Sequence, residues 1–236
     1  MTKIWAHRGA SAYAPENTLE AFELAVKMGA DGVELDVHLT RDGRLAVCHD
    51  ENIQRVTREK GQIRGMTLEE LKGYDFGALF PRYAGAKMPT LEEVYELLCP
   101  TGLTVNVELK TNVYEYQGIE EKCVKAARDF HMEDRVIYSS FNFMSLDRMR
   151  QVDKTVPTAL LYDRAIPNVE RIAQKLGACA LHPHYKRLYA DGAAERARNA
   201  HLELHPWTVD EAEDIKRLTG MGVEAIITDV PDKGRA

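Results

Sequence analysis

Short β-branched and apolar runs alternate with amphipathic stretches along nearly the whole chain of 236 residues. Eight runs have the length and composition of buried strands, namely residues 3–6, 32–37, 104–109, 136–139, 158–161, 178–182, 203–208 and 225–228. The stretches between them show helical periodicity, at residues 18–28, 91–98, 118–130, 143–152, 169–175, 186–199 and 210–218. A helix therefore follows nearly every strand.

This alternation predicts an α/β protein, and specifically a closed parallel (β/α)8 TIM barrel. The length fits one such unit, so we expect residues 1–236 to form a single domain. An open, doubly wound sheet is the alternative. It is less favoured because no Gly-x-Gly-x-x-Gly sequence follows an early strand.

The stretch "DVHLTRDGRLAVCHD" interrupts the alternation after the second predicted strand. Apolar residues flank Asp42-Gly43, a dipeptide that favours a two-residue hairpin turn. Residues 51–89 add one short helix among many turn residues, with Thr67 as its expected cap. We predict that residues 38–89 form a hairpin and a small insertion over the barrel mouth, and that the hairpin returns His49 and Asp50 there.

Polar side chains alternate with apolar ones on two predicted strands. In "GVELDV", Glu34 and Asp36 share one face, and in "VNVELK" Asn106, Glu108 and Lys110 do the same. The apolar residues between them suit the helical layer. The polar set is therefore expected to point into the barrel near the carboxyl ends of its strands, where barrel active sites are built.

Three converging carboxylates, Glu34, Asp36 and Glu108, would repel one another unless a cation lay between them. Oxygen ligands without cysteine favour a hard ion such as Mg²⁺, Ca²⁺ or Mn²⁺. The alternative is a network of salt bridges to Arg8 and Lys110 without a metal ion.

Two histidines, His7 and His49, end strands that point to the same mouth. Because histidine changes charge near neutral pH, one could accept a proton while the other donates one. His38, His131 and His201 lack such neighbours and are expected at the surface.

Other positions near the mouth leave several roles open. In "HRGASAYAPENT", Glu16 could orient Arg8 or His7, or only serve the helix entry. Asn17 or Thr18 could cap the helix, with Asn17 expected to be a cap and not a ligand. His182 and His184 end a later strand, and one or both could line the pocket. Asp229, in "ITDVPD", is expected to cap the last loop and to structure the mouth.

Composition excludes several classes of protein. The net charge of −6 argues against a nucleic-acid scaffold. No stretch approaches about 18 consecutive apolar residues, and the short segment before His7 leaves no room for a signal peptide. The four cysteines are scattered, which favours free buried thiols in a reducing compartment. We therefore expect a cytoplasmic protein without stable membrane association.

The stretch "HRGASAYAPENTLEAFELAVKMGADGVELDVHLTRDGRLAVCHD" resembles the opening signature of the glycerophosphodiester phosphodiesterases. The segments "RVT", "TLEELK", "MPTLEEVYELL", "VNVELK", "SSF", "PWTV" and "AIITDVPD" match that family in order. The match spans nearly the entire chain. The spaced His-Arg-Gly, Glu-x-Asp and His-Asp elements make it specific.

The resemblance implies a barrel enzyme that hydrolyses small glycerophosphodiesters to sn-glycerol 3-phosphate and a free alcohol. It implies an acid–base pair, three ligands of a divalent cation such as Mg²⁺ or Ca²⁺, two phosphate-binding cations and an aromatic wall. Carried over residue by residue, the acid–base pair is His7 and His49, and the metal ligands are Glu34, Asp36 and Glu108. The phosphate-binding cations are Arg8 and Lys110, and the aromatic wall is Trp207.

Two other functions remain as alternatives. One is a related barrel lyase of the phospholipase or sphingomyelinase type, and the other is a non-catalytic module that binds glycerophosphodiesters. The sequence leaves open the headgroup, the identity of the metal and the oligomeric state. It also leaves open whether water or the 2-hydroxyl of glycerol attacks the phosphorus.

Overall fold

The structure is a computed structural model that describes residues 1–189 and 192–235. Nine strands lie in this part of the chain: β1 (Lys3–His7), β2 (Gly32–Leu39), β3 (Leu45–Val47), β4 (Thr104–Leu109), β5 (Val136–Ser140), β6 (Thr158–Tyr162), β7 (Ala180–Pro183), β8 (Glu203–Leu204) and β9 (Ala225–Thr228). The described α-helices are α1 (Leu19–Lys27), α2 (Gln54–Thr57), α3 (Leu68–Lys72), α4 (Leu91–Leu98), α5 (Ile119–Asp129), α6 (Phe143–Val152), α7 (Val169–Leu176), α8 (Ala193–Asn199) and α9 (Ala212–Gly220).

Eight of these strands form one parallel sheet that curls into a nearly closed barrel. Its order is β8-β7-β6-β5-β4-β2-β1-β9, and β3 pairs antiparallel with β2 outside that path. Backbone hydrogen bonds bring the two ends of the sheet together, from Glu224 N to Leu204 O at 3.1 Å and from Ile227 N to Pro206 O at 2.9 Å. The predicted (β/α)8 barrel is thereby confirmed, and the open sheet is wrong.

The strands bury two different faces. Val33, Leu35 and Val37 of β2 are inaccessible to solvent and pack in the layer between the strands and the outer helices. The inner face instead carries the polar residues of β2 and β4 near the mouth, and below them a small apolar cluster that contains Trp5 and Ile227. The alternation of side chains along each strand therefore places the polar site residues inside the barrel, and it places the main hydrophobic core between the strands and the outer helices.

The lower interior of the barrel holds two buried histidines. His182 Nε2 lies 2.9 Å from His205 Nδ1, and His205 Nε2 lies 3.0 Å from Glu203 Oε2. Burial, reinforced by His205, holds the pKa of His182 well below its usual range. His182 thus belongs to the barrel interior, while His184 stacks on Tyr185 and meets the edge of Trp207.

The expectation of a surface position was wrong for His38. Its ring is fully buried, with Nδ1 3.0 Å from the Tyr116 hydroxyl and Nε2 3.2 Å from the backbone oxygen of His49. The reason is that β2 continues to Leu39, two residues beyond its predicted end, and β3 folds back against it. Burial lowers the pKa of His38 to about 4. His131 and His201 are exposed, as predicted.

Several boundaries differ from the predictions. The run 203–208 contains only the short β8, and the helix predicted over 186–199 is a 3₁₀ turn at Tyr185–Tyr189 followed by α8. Gly192 precedes α8 with a φ of 73°, so the described backbone there cannot be helical. Residues 190 and 191 of the predicted helix lie outside the described residues.

The four cysteines are free thiols, but only Cys48 and Cys123 are buried; Cys99 and Cys179 are exposed. The prediction of buried thiols is therefore correct for two of them. Among the described residues, no helix has both the length and the apolar character needed to cross a membrane.

Candidate active site

A cleft of about 120 Å³ opens at the carboxyl ends of the barrel strands. Residues from strands β1, β2, β4, β6 and β9, from the hairpin and from three loops line it: His7, Arg8, Glu34, His49, Asn106, Glu108, Phe141, Leu161, Trp207 and Ile227. Six of the eight predicted site residues are in this lining. The other two, Asp36 and Lys110, contact members of it directly.

The three predicted carboxylates converge beneath the cleft. Asp36 and Glu108 are register partners on the paired strands β2 and β4, and Glu34 lies two residues before Asp36 on the same face. All three are buried, and one oxygen from each lies within 4.8 Å of the others. The spacing and the all-oxygen donor set fit a hard divalent cation.

The pKa values of the carboxylates in this cluster are shifted in opposite directions. Burial, with the charges of Asp36 and Glu108 added to it, raises the pKa of Glu34 well above its usual range. Burial acts the same way on Asp36, but Lys110 and Arg8 outweigh it and hold the pKa of Asp36 well below its usual range. Asp36 Oδ1 has no hydrogen-bond partner among the described residues. A cation would satisfy that oxygen and keep Glu34 ionised.

Two cations flank the carboxylates. Lys110 Nζ donates to Glu108 Oε1 at 2.9 Å and lies 3.5 Å from Asp36 Oδ1. Arg8 Nε lies 3.5 Å from Asp36 Oδ2, and the backbone N–H of Arg8 donates to Glu34 Oε2 at 3.0 Å. Burial opposes both positive charges, yet these carboxylates raise the pKa of Arg8 and of Lys110. Both side chains are therefore fixed as cations beside the cleft.

His7 is oriented by a carboxylate from the opposite end of the chain. Its Nδ1 lies 2.6 Å from Asp229 Oδ1, which also accepts from the Ser11 hydroxyl at 2.9 Å. Burial would raise the pKa of Asp229, but the bond from His7 lowers it. Nε2 of His7 is left for the cleft, 3.9 Å from Glu34 Oε2. The sequence assigned Asp229 to the loop and missed this contact; its place just after β9 was the available signal.

His49 is oriented in the same way by its neighbour. Nδ1 of His49 lies 2.6 Å from Asp50 Oδ1, and the bond from His49 lowers the pKa of Asp50. The backbone oxygen of His49 is also held by His38. Because Nδ1 is engaged, Nε2 is the nitrogen that His49 can offer to a ligand.

The loop after β1 resolves two open roles. Glu16 Oε1 accepts from Arg8 Nη1 at 3.1 Å, so Glu16 does contact the predicted phosphate-binding cation. Thr18 caps α1 by accepting from Ala21 N. The expectation that Asn17 is a cap was wrong: its φ is 57°, and its Nδ2 donates to Asp36 Oδ2 at 2.8 Å.

One side of the cleft is apolar. Trp207 and Phe141 meet edge to face, with ring centroids 5.7 Å apart, and Leu161 and Ile227 complete this side. The indole N–H of Trp207 donates to the backbone oxygen of His182 at 2.8 Å, which fixes the ring. The cleft can thus hold a molecule with an anionic part on one side and carbon atoms on the other.

Comparison with known proteins agrees with this arrangement. The model of the glycerophosphoryl diester phosphodiesterase family matches residues 7–233. The chain belongs to this family. It is 42% identical to a glycerophosphodiester phosphodiesterase of Caldanaerobacter subterraneus over 98% of this chain and 95% of that relative. It is 41% identical to the Bacillus altitudinis enzyme of the same name over 99% of this chain and 96% of the relative.

Solved structures of the family show the same barrel. The structure of a glycerophosphodiester phosphodiesterase from Agrobacterium tumefaciens has a TM-score of 0.87 and 29% identity, with 99% of each chain covered. A phosphodiesterase from Oleispira antarctica, solved in complex with the product sn-glycerol-3-phosphate, has a TM-score of 0.87 and 26% identity, over 100% of this chain and 96% of that one. The family predicted from the sequence motifs is therefore confirmed.

Proposed function

We propose that the protein hydrolyses glycerophosphodiesters to sn-glycerol 3-phosphate and a free alcohol, with help from a divalent cation. The observation that carries this proposal is the cleft itself, where three buried carboxylates lie beside two fixed cations and two carboxylate-oriented histidines. The names of the relatives and the product bound to the Oleispira antarctica enzyme support the same reaction.

Glu34, Asp36 and Glu108 would hold the metal ion, and oxygen ligands suit either Mg²⁺ or Ca²⁺. A bound divalent cation supplies charge stabilisation at a phosphoryl oxygen and can lower the pKa of a bound hydroxyl or water. Asn17 donates to Asp36 Oδ2, which leaves Oδ1, without a hydrogen-bond partner among the described residues, as the oxygen available to the ion.

Arg8 and Lys110 would bind the phosphate. A phosphodiester carries one negative charge, and more charge gathers on its non-bridging oxygens in the transition state. Arg8 can contact two oxygens at once, whereas Lys110 acts as a point charge. Both are largely buried, so their charges are weakly screened where they matter. Trp207, with Phe141 beside it, offers its ring to the glycerol carbons.

The two histidines would move the protons. With Nδ1 bonded to Asp229, His7 can accept a proton at Nε2 from the attacking hydroxyl and remain stabilised as an imidazolium. His49, held by Asp50, would donate its Nε2 proton to the leaving alkoxide as the ester bond breaks. The attacking hydroxyl is either water or the 2-hydroxyl of the substrate glycerol. The second route would form a cyclic phosphate that is then hydrolysed.

The direct test is release of sn-glycerol 3-phosphate from choline, ethanolamine, glycerol and inositol diesters, each with Mg²⁺, with Ca²⁺ and with chelator. We expect release that depends on the metal. No release from any diester with either metal would contradict the proposal. A substrate without the 2-hydroxyl separates the two routes, because its normal turnover would exclude the cyclic intermediate.

The two alternatives are not favoured. A lyase acting on intact phospholipid is tested by comparing phospholipid vesicles with glycerophosphocholine as substrates. A binding module would bind glycerophosphodiesters without turnover when supplied with metal. The presence of two histidines, each held by a carboxylate, supports catalysis over binding alone.

We also propose that the enzyme works in the cytoplasm. Its four cysteines are unpaired, and two of them are exposed. Exposed free thiols are more compatible with a reducing compartment than with an oxidising one.

A further inference from the structure

The proposed reaction makes no direct use of Arg55, yet this side chain makes three short ionic hydrogen bonds near the mouth. Arg55 lies on the short helix α2 of the insertion, and about half of its side chain is exposed. Its Nη1 and Nη2 donate to the two oxygens of Glu16 at 2.7 Å each, and its Nε donates to Asp50 Oδ2 at 2.6 Å. The guanidinium therefore uses three of its donors on two carboxylates.

Each of these carboxylates contacts a different residue of the proposed machinery. Asp50 holds His49 through its other oxygen, and Glu16 holds Arg8. The contacts form one continuous chain, His49–Asp50–Arg55–Glu16–Arg8, from the insertion to the loop after β1. Arg55 and Glu16 are 39 residues apart in sequence, so this chain of contacts joins two separate segments of the mouth.

The charges around Glu16 and Asp50 show why a cation is needed between them. Glu16 is largely buried and lies near the charge of Asp36, and both effects would raise its pKa; the bonds from Arg55 and the charge of Arg8 lower it instead. Without Arg55, Glu16 would face Arg8 alone, and Asp50 would lose the donor that fixes its second oxygen. Lysine could not replace this planar fork, because a single ammonium cannot reproduce a bidentate contact and a third bond in one plane.

We propose that Arg55 is a positioning residue that fixes the position of the acid His49 relative to the phosphate-binding Arg8. It acts through Asp50 on the first and through Glu16 on the second. This inference rests on the proposed function, because it assigns Arg55 a role in that reaction. It adds Arg55 to the contribution that residues 38–89 already make to the site through His49 and Asp50.

The test compares Arg55→Ala and Arg55→Lys with Lys60→Ala, which removes the same charge from an exposed position of the same insertion. We expect kcat/KM to fall about 10–100-fold in Arg55→Ala, as is typical when a partner of an active-site group is removed. Arg55→Lys should recover less than about a tenth of that loss, and Lys60→Ala should match the wild type. Millimolar guanidinium should restore Arg55→Ala, and it should not affect Lys60→Ala.

Two double-mutant cycles separate the branches of the contact chain. Arg55→Ala combined with Glu16→Gln should be non-additive in the Kd for sn-glycerol 3-phosphate, and Arg55→Ala combined with Asp50→Asn should be non-additive in kcat. Additive effects in both cycles, or a kcat/KM of Arg55→Ala within twofold of the wild type, would overturn the inference. So would a loss of activity that parallels a lower Tm and is not rescued by guanidinium. Wild-type protein that releases no glycerol phosphate would instead contradict the proposed function.

Discussion

At the residue scale, the two histidines of the cleft make the same contact with a carboxylate, but their partners lie at different distances along the sequence. Each has Nδ1 2.6 Å from a carboxylate oxygen, but the partner of His49 is its neighbour Asp50, whereas the partner of His7 is Asp229, 222 residues away. The carboxylate fixes the tautomer in each case and leaves Nε2 for chemistry. A local contact and a distant one thus produce the same local geometry.

Replacement of either histidine by alanine should lower kcat by about 10²–10⁴-fold, the usual contribution of general acid–base catalysis. The measurement is release of sn-glycerol 3-phosphate at saturating diester. His131→Asn is the matched control, since His131 is exposed and asparagine tolerates its φ of 54°. Retention of more than a tenth of the wild-type kcat in His7→Ala or His49→Ala would refute the assignment.

Residue identities near the site were predictable where the signal was local. His7, Arg8, Glu34, Asp36 and Glu108 follow from strand alternation and from their positions at strand ends. The contacts of Asn17, Arg55 and Asp229 were not predictable in this way, because each joins segments that are distant in sequence. Pairing across such distances depends on the closed barrel and the folded insertion, which alternation within a single strand does not encode.

At the scale of elements, β2 is the central support of the site. It carries Glu34 and Asp36 inside the barrel, and its extension carries His38, which holds the backbone of His49. The sequence prediction ends this strand at residue 37, where the predicted hairpin begins. The polar residues His38 and Thr40 lie just beyond that end and are buried, since β3 pairs with β2 and Tyr116 contacts His38. This tertiary effect overrides the local pattern.

Helix α4 allows a test of fold stability away from the cleft. Thr90 caps it and forms a capping box with Glu93, and the threonine is buried. We expect Thr90→Ala to lower the free energy of unfolding by about 1 kcal/mol, measured by urea titration, with kcat unchanged. Thr219→Ala, at an exposed position in the last turn of α9, should be neutral or slightly stabilising because alanine favours helix. Equal effects of the two substitutions would contradict the role of the cap.

At the scale of the whole molecule, the barrel concentrates uncompensated negative charge beneath its mouth. Metal binding should therefore stabilise the fold as well as complete the site. At a concentration of 100 times its Kd, a ligand of the native state alone adds about 2.7 kcal/mol to the free energy of unfolding. We expect Mg²⁺ or Ca²⁺ to raise the Tm of the wild type in a scanning calorimeter, and chelator to reverse the change.

Variants of the carboxylates identify where that ion binds. Asp36→Asn and Glu108→Gln should lose most of the metal-dependent rise in Tm, because each removes a ligand charge from the cluster. Glu96→Gln, at an exposed position of α4, should keep it. An undiminished rise in the first two variants would place the stabilising ion elsewhere.

The buried His182 makes stability depend on pH. Its pKa is depressed in the folded barrel, so on acidification below about pH 6.5 the unfolded chain binds a proton that the native state does not. This contribution to stability is present above that pH and is lost as the pH falls, by at most about 1.4 kcal/mol per pH unit. Urea titrations in chelator should show a shallower loss in His182→Gln than in the wild type. An equal slope would contradict the assignment.

The contact between His7 and Asp229 ties the first strand of the barrel to the segment that follows the last. A polypeptide still emerging from the ribosome has His7 early, but its carboxylate partner is translated 222 residues later. Partial chains that end before β9 would therefore carry the metal ligands and both imidazoles without an oriented base. Full turnover would therefore require both β9 and the segment that carries Asp229.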